Sequence, residues 1–262
     1  MQKLQYLAQQ HEIRGDWIQR LRVLEGFSIV MLCDDSGSMA TPCQTGSGGG
    51  GPVDPFGRMP TRWSELQSTC STVVQLASAL DPVGAIDVHF LNRPPVLGVQ
   101  DPSQLQPAFA IPPNGYTPIT AAIRSIMQHK QRDLAERRLL LVIATDGQPT
   151  DAYGNVQIQE FLNTLGSMPH NMYCQIMACT DDQSTMSYLN AADNQIPRLD
   201  VTDDFSSERA EILAAQGPGF HFTRGDYICK CLLGPVDDYF DSLDSRPGGG
   251  RAGGGDECCC IA

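Results

Sequence analysis

Apolar positions along this chain follow two periods, and their alternation predicts an α/β fold. Short continuous apolar runs, typical of strands buried on both faces of a parallel sheet, occur at 27–33, 84–91, 138–144, 173–178 and 199–201. Segments in which apolar residues recur every three or four positions, typical of amphipathic helices, occur at 62–80, 119–127, 156–165 and 185–192. Short apolar pieces between prolines and glycines predict an edge strand within 94–111. Because helices and apolar strands alternate, we expect a mostly parallel sheet with right-handed crossovers.

The same pattern divides the chain into segments. An apolar stripe that includes Trp17 predicts a helical N-terminal segment, and Gly- and Pro-rich composition predicts two flexible segments. The predicted bounds are 1–25 for the N-terminal helical segment, 26–215 for the main domain with a flexible insertion at 40–61, 216–245 for a C-terminal helical extension, and 246–262 for a flexible Gly-rich tail.

Charge and composition narrow the classes of function. The chain of 262 residues has 18 basic and 30 acidic residues, which gives a formal net charge of −12. Nucleic-acid binders need clustered Lys and Arg, so this charge argues against nucleic acid and favours a cation as ligand. No apolar run approaches the roughly 20 residues that span a bilayer, and the polar N-terminus does not resemble a signal peptide. We therefore expect a cytoplasmic protein whose ten cysteines are mostly reduced core thiols.

Oxygen-bearing side chains stand where ligands bind in open α/β sheets, beyond the carboxyl ends of the strands. Asp34, Ser36 and Ser38 follow the first apolar strand. Asp146 follows the central strand, and Thr117 precedes a helix at the end of a loop. Carboxylates and hydroxyls together form a hard oxygen site, which suits Mg²⁺, Mn²⁺ or Ca²⁺ and not zinc. These five residues are the candidate metal ligands, with Mg²⁺ as the expected ion.

A known family has these elements in the same order. The D-x-S-x-S pattern at 34–38, the distant Thr117 and the Asp-Gly at 146–147 resemble the metal-ion-dependent adhesion site of von Willebrand factor type A domains, over about residues 26–215. The resemblance implies a Rossmann-like, doubly wound and mostly parallel sheet with helices on both faces and one antiparallel edge strand. It further implies that the hydroxyls bind the ion directly or through water and the aspartates partly through water. A carboxylate from a partner protein would fill the remaining position.

The segments beyond the basic domain show a weaker resemblance. The helical piece around Ser207 and the aromatic segment 220–244 resemble those of intracellular, fungal-type proteins with this domain. Asp181 and Asp182 also follow a strand and are interpreted as solvated loop charges.

Other readings of the site residues were compared with this one. A metal-dependent hydrolase is one alternative, because a bound ion can activate water, and a domain in which the metal only stabilises loops is another. No histidine lies next to a site loop, Ser36 replaces the second Asp of an aspartate phosphatase, and P-loop and G-x-S-x-G motifs are absent. We therefore expect a binding module and not an enzyme, with an unidentified protein as partner. The oligomeric state is not predicted.

The last residues suggest a lipid anchor. Residues 259–262 fit C-a-a-X, which resembles a prenylation signal with farnesyl on Cys259. Cys258 would supply a second, palmitoylated anchor, and stable binding to the cytoplasmic face of a membrane requires two such signals. A chance Cys-rich end or a soft-metal tract is the alternative.

The tripeptide Arg-Gly-Asp, which resembles an integrin ligand, occurs at 14–16 and 224–226. Gly-Asp is common at helix starts because such residues cap the free N–H groups there. We therefore interpret both copies as helix starts.

Overall fold

A computed structural model describes residues 2–43, 59–80, 85–180, 182, 187–240 and 242–244. Within these ranges, one sheet is formed by β1 (Ser28–Cys33), β2 (Ile86–Phe90), β3 (Val96–Val99), β4 (Leu139–Thr145), β5 (Met172–Ala178) and β6 (Leu199–Thr202), in the order β3-β2-β1-β4-β5-β6. The edge strand β3 is antiparallel to β2, and all other neighbours are parallel. The predicted α/β class with one antiparallel edge strand is confirmed.

The helices lie between the strands as the apolar periods predict. They are α1 (Gln2–Gln10), α2 (Gly15–Leu21), α3 (Arg62–Leu80), α4 (Gln106–Phe109), α5 (Ile119–His129), α6 (Gln131–Glu136), α7 (Ile158–Gly166), α8 (Tyr188–Gln195), α9 (Phe205–Gln216) and α10 (Arg224–Leu233). Short 3₁₀ turns occupy Arg22–Leu24, Gly37–Ala40 and Pro102–Leu105.

Two helical features differ from the sequence-based expectation. The N-terminal segment, expected to be helical over 1–25, is interrupted between α1 and α2, where Glu12 adopts a φ of 54°. A left-handed residue cannot continue a right-handed helix, so the chain turns there. Helix α6 was not predicted, because none of its residues is buried and it therefore has no apolar stripe to detect.

The sheet separates two layers of core. Along β1, Ile29 and Met31 contribute to the layer under α1, α2, α3 and α10, whereas Val30 and Leu32 contribute to the layer under α5, α7 and α8. All seven residues of β4 are buried. Trp17 and Phe240 are both fully buried, and their rings lie 4.9 Å apart. The N-terminal and C-terminal segments therefore pack together in the first layer.

The cysteines follow the expectation of reduced core thiols as far as they are described. Cys33, Cys70, Cys174, Cys229 and Cys231 are buried and free, and Cys43 and Cys179 are free and half-buried. The proposed lipidation residues Cys258 and Cys259 lie outside the described residues. In the part of the chain that the structure describes, no helix is long and apolar enough to cross a membrane.

Both Arg-Gly-Asp sequences lie at helix starts, as predicted. Gly15 begins α2 and Arg224 begins α10. The buried Asp226 carboxylate accepts hydrogen bonds from the backbone N–H groups of Arg14 (2.9 Å) and Thr223 (3.1 Å), so it joins the two starts. Asp226 thus has a structural role at both helix starts.

Candidate metal centre

The first predicted ligand loop begins where β1 ends. The buried Asp34 carboxylate accepts a hydrogen bond from the backbone N–H of Ser36 (2.8 Å) on one oxygen. Its other oxygen accepts a hydrogen bond from the hydroxyl of Thr145, the last residue of β4, at 2.6 Å. Asp34 is thereby fixed between the first and the third predicted loops.

One hydroxyl of the first loop bonds the carboxylate of the third loop directly. The Ser38 hydroxyl donates to Asp146 Oδ1 at 2.6 Å. The Ser36 and Ser38 hydroxyl oxygens lie 3.0 Å apart. Because Asp146 follows β4 and Ser38 lies in a 3₁₀ turn after β1, the parallel pairing of these strands brings the three side chains together.

Thr117 lies in the second loop, which contacts both of the others. The backbone N–H of Gly37 donates to the Gly115 carbonyl oxygen at 3.2 Å. Thr117 Oγ1 lies 4.0 Å from the position that a Cβ on Gly147 would occupy. Within the described residues, this hydroxyl has no hydrogen-bond partner, so it is available as a ligand. The structure thus places all five predicted residues at one edge of the sheet.

The electrostatics of this edge favour a cation. Burial raises the pKa of Asp34 to about 6, and the nearby charge of Asp146 adds to the effect, although hydrogen bonds from Ser36 and Thr145 oppose it. A buried carboxylate without a cation close by pays a large desolvation penalty. Asp146 is compensated by Arg62, whereas Asp34 contacts no cationic side chain within the described residues, so a cation beside Asp34 would reduce this penalty.

The composition of the site matches a hard ion. No group of three or more His, Cys, Asp and Glu side chains converges in the described ranges. The predicted set has only two carboxylates, and its other three members are hydroxyls, which suit Mg²⁺ and not the softer transition metals. The metal-site residues thus remain those that the sequence predicts.

Sequence reasoning missed Arg62, which contacts the candidate site. Arg62 Nη1 lies 2.8 Å from Asp146 Oδ2, and its Nη2 donates to the Thr180 hydroxyl at 2.8 Å. The two ends of the Gly-rich insertion lie next to each other, because the Arg62 N–H donates to the Thr41 carbonyl oxygen (3.0 Å). This closure delivers the guanidinium to the site. Its place at a predicted helix start is the only feature of Arg62 that the sequence shows, and that feature does not indicate a site residue.

Arg62 also forms one wall of a cavity of about 390 Å³. The cavity lies between the ends of β4 and β5 and the helices α3, α9 and α10, and Arg224 and Glu65 form a second ion pair in its wall at 3.1 Å. Burial raises the pKa of the Cys43 thiol to about 12. The cavity therefore contains balanced charges and protonated thiols, without a clear nucleophile.

Two other acidic residues near this edge serve different purposes. Asp35 is fully buried and binds Arg93 Nε at 2.6 Å, together with the backbone N–H groups of Leu91 and Asn92. It points away from the candidate ligands and fixes the neighbouring loop. Asp182 is exposed, with its N–H bonded to the Thr180 hydroxyl at 3.1 Å. Asp181 lies outside the described residues.

Two of the solved structures to which this chain is similar have low sequence identity. The match to the pilus adhesin SpaC from Lactobacillus rhamnosus GG has 13% identity and a TM-score of 0.49, and it covers 79% of this chain and 31% of the adhesin. The match to the manganese-loaded TRAP protein of Plasmodium vivax has 15% identity and a TM-score of 0.46, over 71% of each chain. Protein-family models and curated proteins gave no match. The fold assignment therefore depends on the strand order of this chain itself.

Proposed function

We propose that this chain is a protein–protein interaction module of the von Willebrand factor type A kind, in which a bound divalent ion recognises a carboxylate on a partner. The proposed ligands are Asp34, Ser36, Ser38, Thr117 and Asp146, and the proposed ion is Mg²⁺, with Mn²⁺ or Ca²⁺ as substitutes. The observation that supports it most is the hydrogen bond from the Ser38 hydroxyl to Asp146, which joins the loops after β1 and β4, with the Ser36 hydroxyl 3.0 Å from that of Ser38.

The ion would supply a local positive charge on an acidic protein. The net charge of −12 would otherwise repel an acidic partner. Neutral hydroxyls provide most of the ligands, so the ion keeps a strong attraction for one more anionic oxygen. Arg62 pairs with Asp146 in the structure, and the ion would take its place at that carboxylate. This arrangement supports carboxylate recognition.

A calorimetric titration with Mg²⁺ tests the site. The wild-type protein should bind one equivalent, and Asp34→Ala should lose that binding because it removes a buried carboxylate from the proposed ligand set. Asp182→Asn, which changes an exposed carboxylate at the same edge, is the matched control and should bind as the wild type does. Retained binding in Asp34→Ala would contradict the proposed site.

A second titration separates the alternatives. A short peptide with one aspartate should bind the wild-type protein in Mg²⁺ and not in EDTA. If Mg²⁺ binds and raises the melting temperature but the peptide does not bind, a domain with a purely structural metal is favoured. If phosphoesters turn over with a dependence on Asp34, the hydrolase alternative replaces the binding module.

We also propose that the C-terminal cysteines tether the protein to the cytoplasmic face of a membrane, with farnesyl on Cys259 and palmitate on Cys258. The C-a-a-X-like end of the sequence supports this proposal. An intact-mass measurement on protein from eukaryotic cells should show a farnesyl adduct and the loss of the last three residues. An unmodified mass would contradict the proposed lipid anchor.

A further inference from the structure

The surface beside Thr117 contains very few charges for so acidic a protein. No Asp, Glu, Lys or Arg occurs at 102–123, although 18% of the whole chain is charged. The loop after β4 is similar, since Asp151 is the one charged residue at 147–159. These two stretches contain the second and third loops of the candidate site.

Large apolar side chains are exposed on these two loops. Tyr153 is 84% exposed, Val156 is 55% exposed and Tyr116 is 54% exposed. Tyr116 directly precedes the proposed ligand Thr117. Single exposed apolar residues are ordinary on protein surfaces, but these three lie on two loops that contact each other. We call Tyr116, Tyr153 and Val156 the tyrosine rim.

Backbone contacts join the tyrosine rim to the candidate site. The Thr117 N–H donates to the Thr150 hydroxyl (3.0 Å), and the Thr150 N–H donates to the Thr117 carbonyl oxygen (2.9 Å). The ring of Tyr116 lies against Gly154, where an added Cβ would come within 2.6 Å of it. The rim is therefore continuous with the metal ligand Thr117.

The loop that presents Tyr153 is held rigidly by Asp151. The Asp151 carboxylate accepts hydrogen bonds from the N–H of Tyr153 (2.8 Å), from the N–H of Asn155 (2.9 Å) and from the Asn155 amide (2.8 Å). Thr150 and Val156 close the loop through an antiparallel bridge. The one charged residue of this stretch therefore has its carboxylate engaged within its own loop.

Tyr116 is positioned by the opposite side of the edge. The Asn92 side-chain amide donates to the Tyr116 carbonyl oxygen at 2.8 Å. Gly115 has a φ of 110°, and a Cβ there would lie 2.6 Å from Asn92 Oδ1. The backbone that carries both tyrosines is thus held before any partner binds, which lowers the conformational entropy that the two loops lose on binding.

We propose that the tyrosine rim binds an apolar side chain next to the acidic residue that reaches the ion, so that the partner is a peptide segment with an aspartate or glutamate flanked by apolar residues. This inference rests on the proposed function of the same site. The aromatic rings offer apolar area with a polar tip, which suits a protein interface. The scarcity of charged residues at 102–123 and 147–159 limits the number of ions that the flanking side chain would desolvate.

Two synthetic peptides test the proposal, acetyl-Gly-Leu-Asp-Leu-Gly-amide and acetyl-Gly-Ser-Asp-Ser-Gly-amide, titrated by NMR in Mg²⁺. The leucine peptide should bind the wild-type protein about tenfold more tightly, as burial of one leucine side chain predicts. Tyr153→Ser and Tyr116→Ser should each lower the affinity for the leucine peptide toward that for the serine peptide. Tyr6→Ser, which removes a tyrosine that is 66% exposed on α1, is the matched control and should change neither affinity.

A second variant keeps both tyrosines. Gly154→Ala places a methyl group against the Tyr116 ring and strains a backbone with a φ of 88°, so it should displace the ring. It should therefore lower the affinity for the leucine peptide and leave the affinity for the serine peptide unchanged. Equal affinity of the wild-type protein for the two peptides would overturn the proposed role of the tyrosine rim and leave the metal-dependent function intact. Failure of both peptides to bind would overturn the proposed function as well.

Discussion

Two buried pairs of an arginine and an aspartate lie at the same edge of the sheet, and they differ in how firmly the arginine is held. Arg93 binds Asp35 at 2.6 Å, and Arg62 binds Asp146 at 2.8 Å. Both aspartate side chains are fully buried, and the arginine side chains are 12% and 18% exposed respectively. By distance and burial alone, the two pairs are alike.

The two pairs differ in how many other groups each arginine contacts. Arg93 also donates to the carbonyl oxygens of Ala108 (2.5 Å), Ile111 (3.0 Å) and Pro112 (3.2 Å), and its guanidinium lies 4.9 Å from the Trp63 ring centroid. Every part of this guanidinium is used, as is usual for a buried charge that has a structural role. The pair locks the loop after β2 to the loop that leads to Thr117.

Arg62 has fewer constraints. Besides Asp146 it contacts the Thr180 hydroxyl through one nitrogen, and it lines a cavity of about 390 Å³. The comparison indicates that one pair is a fixed part of the scaffold. In the other, the arginine is a resident cation that a metal ion could replace at Asp146.

The largest expected effect comes from breaking the locked pair. Arg93→Ala should lower the free energy of unfolding by about 3–5 kcal/mol, because it leaves Asp35 as a buried charge without a cation. Urea unfolding followed by tryptophan fluorescence measures this change. The control is Arg224→Gln, whose pair with Glu65 is 31% exposed on each side. A similar loss of unfolding free energy in both variants would show that the Arg93–Asp35 pair stabilises the fold no more than the Arg224–Glu65 pair does.

An intermediate effect on the free energy of unfolding is expected from the titration of Asp34. This residue lies next to Asp35 but has no arginine contact in the described residues. Its folded-state pKa is about 6 against an ordinary value of 3.8, so the folded protein holds a proton that the unfolded chain has already released. The resulting stability is fully present below about pH 4 and is lost as the pH rises through about 6.

Asp34→Asn cannot titrate, and it isolates this dependence. In EDTA, the wild-type protein should lose about 3 kcal/mol of unfolding free energy relative to Asp34→Asn between pH 4 and pH 7.5. Chemical unfolding of both proteins at several pH values measures the difference. A constant difference across this range would show that burial does not perturb Asp34.

The smallest effect should follow from removal of the exchangeable cation. Arg62→Met should cost about 1–2 kcal/mol in EDTA, because Arg62 makes only two of the side-chain contacts described, fewer than Arg93 makes, and Asp146 keeps the hydrogen bond from the Ser38 hydroxyl. It should also tighten Mg²⁺ binding about tenfold, since a neighbouring positive charge no longer opposes the ion. Calorimetry with Mg²⁺ checks this prediction, with Arg224→Gln as control. Unchanged Mg²⁺ affinity would mean that Arg62 and the ion do not compete.

The strands and most helices could be predicted from the sequence, because their burial imposes a local period on apolar residues. The residues after β1 and β4 could be identified as candidate ligands for a related reason. In a parallel sheet, all strand ends of one kind lie at one edge, so oxygen-bearing residues after different strands converge. Helix α6, which buries none of its residues, and the left-handed turn at Glu12 left no such period.

Only the tertiary structure decided which charges meet. Arg62 is 84 residues from Asp146, and Arg93 is 58 residues from Asp35. No local pattern relates residues so far apart, and the closure of the insertion at Thr41 determines where the Arg62 guanidinium points. Short-range periodicity was enough to predict the sheet and the edge that carries the candidate ligands. The arginines and the tyrosine rim depend on contacts between distant loops, which exist only after the chain has folded.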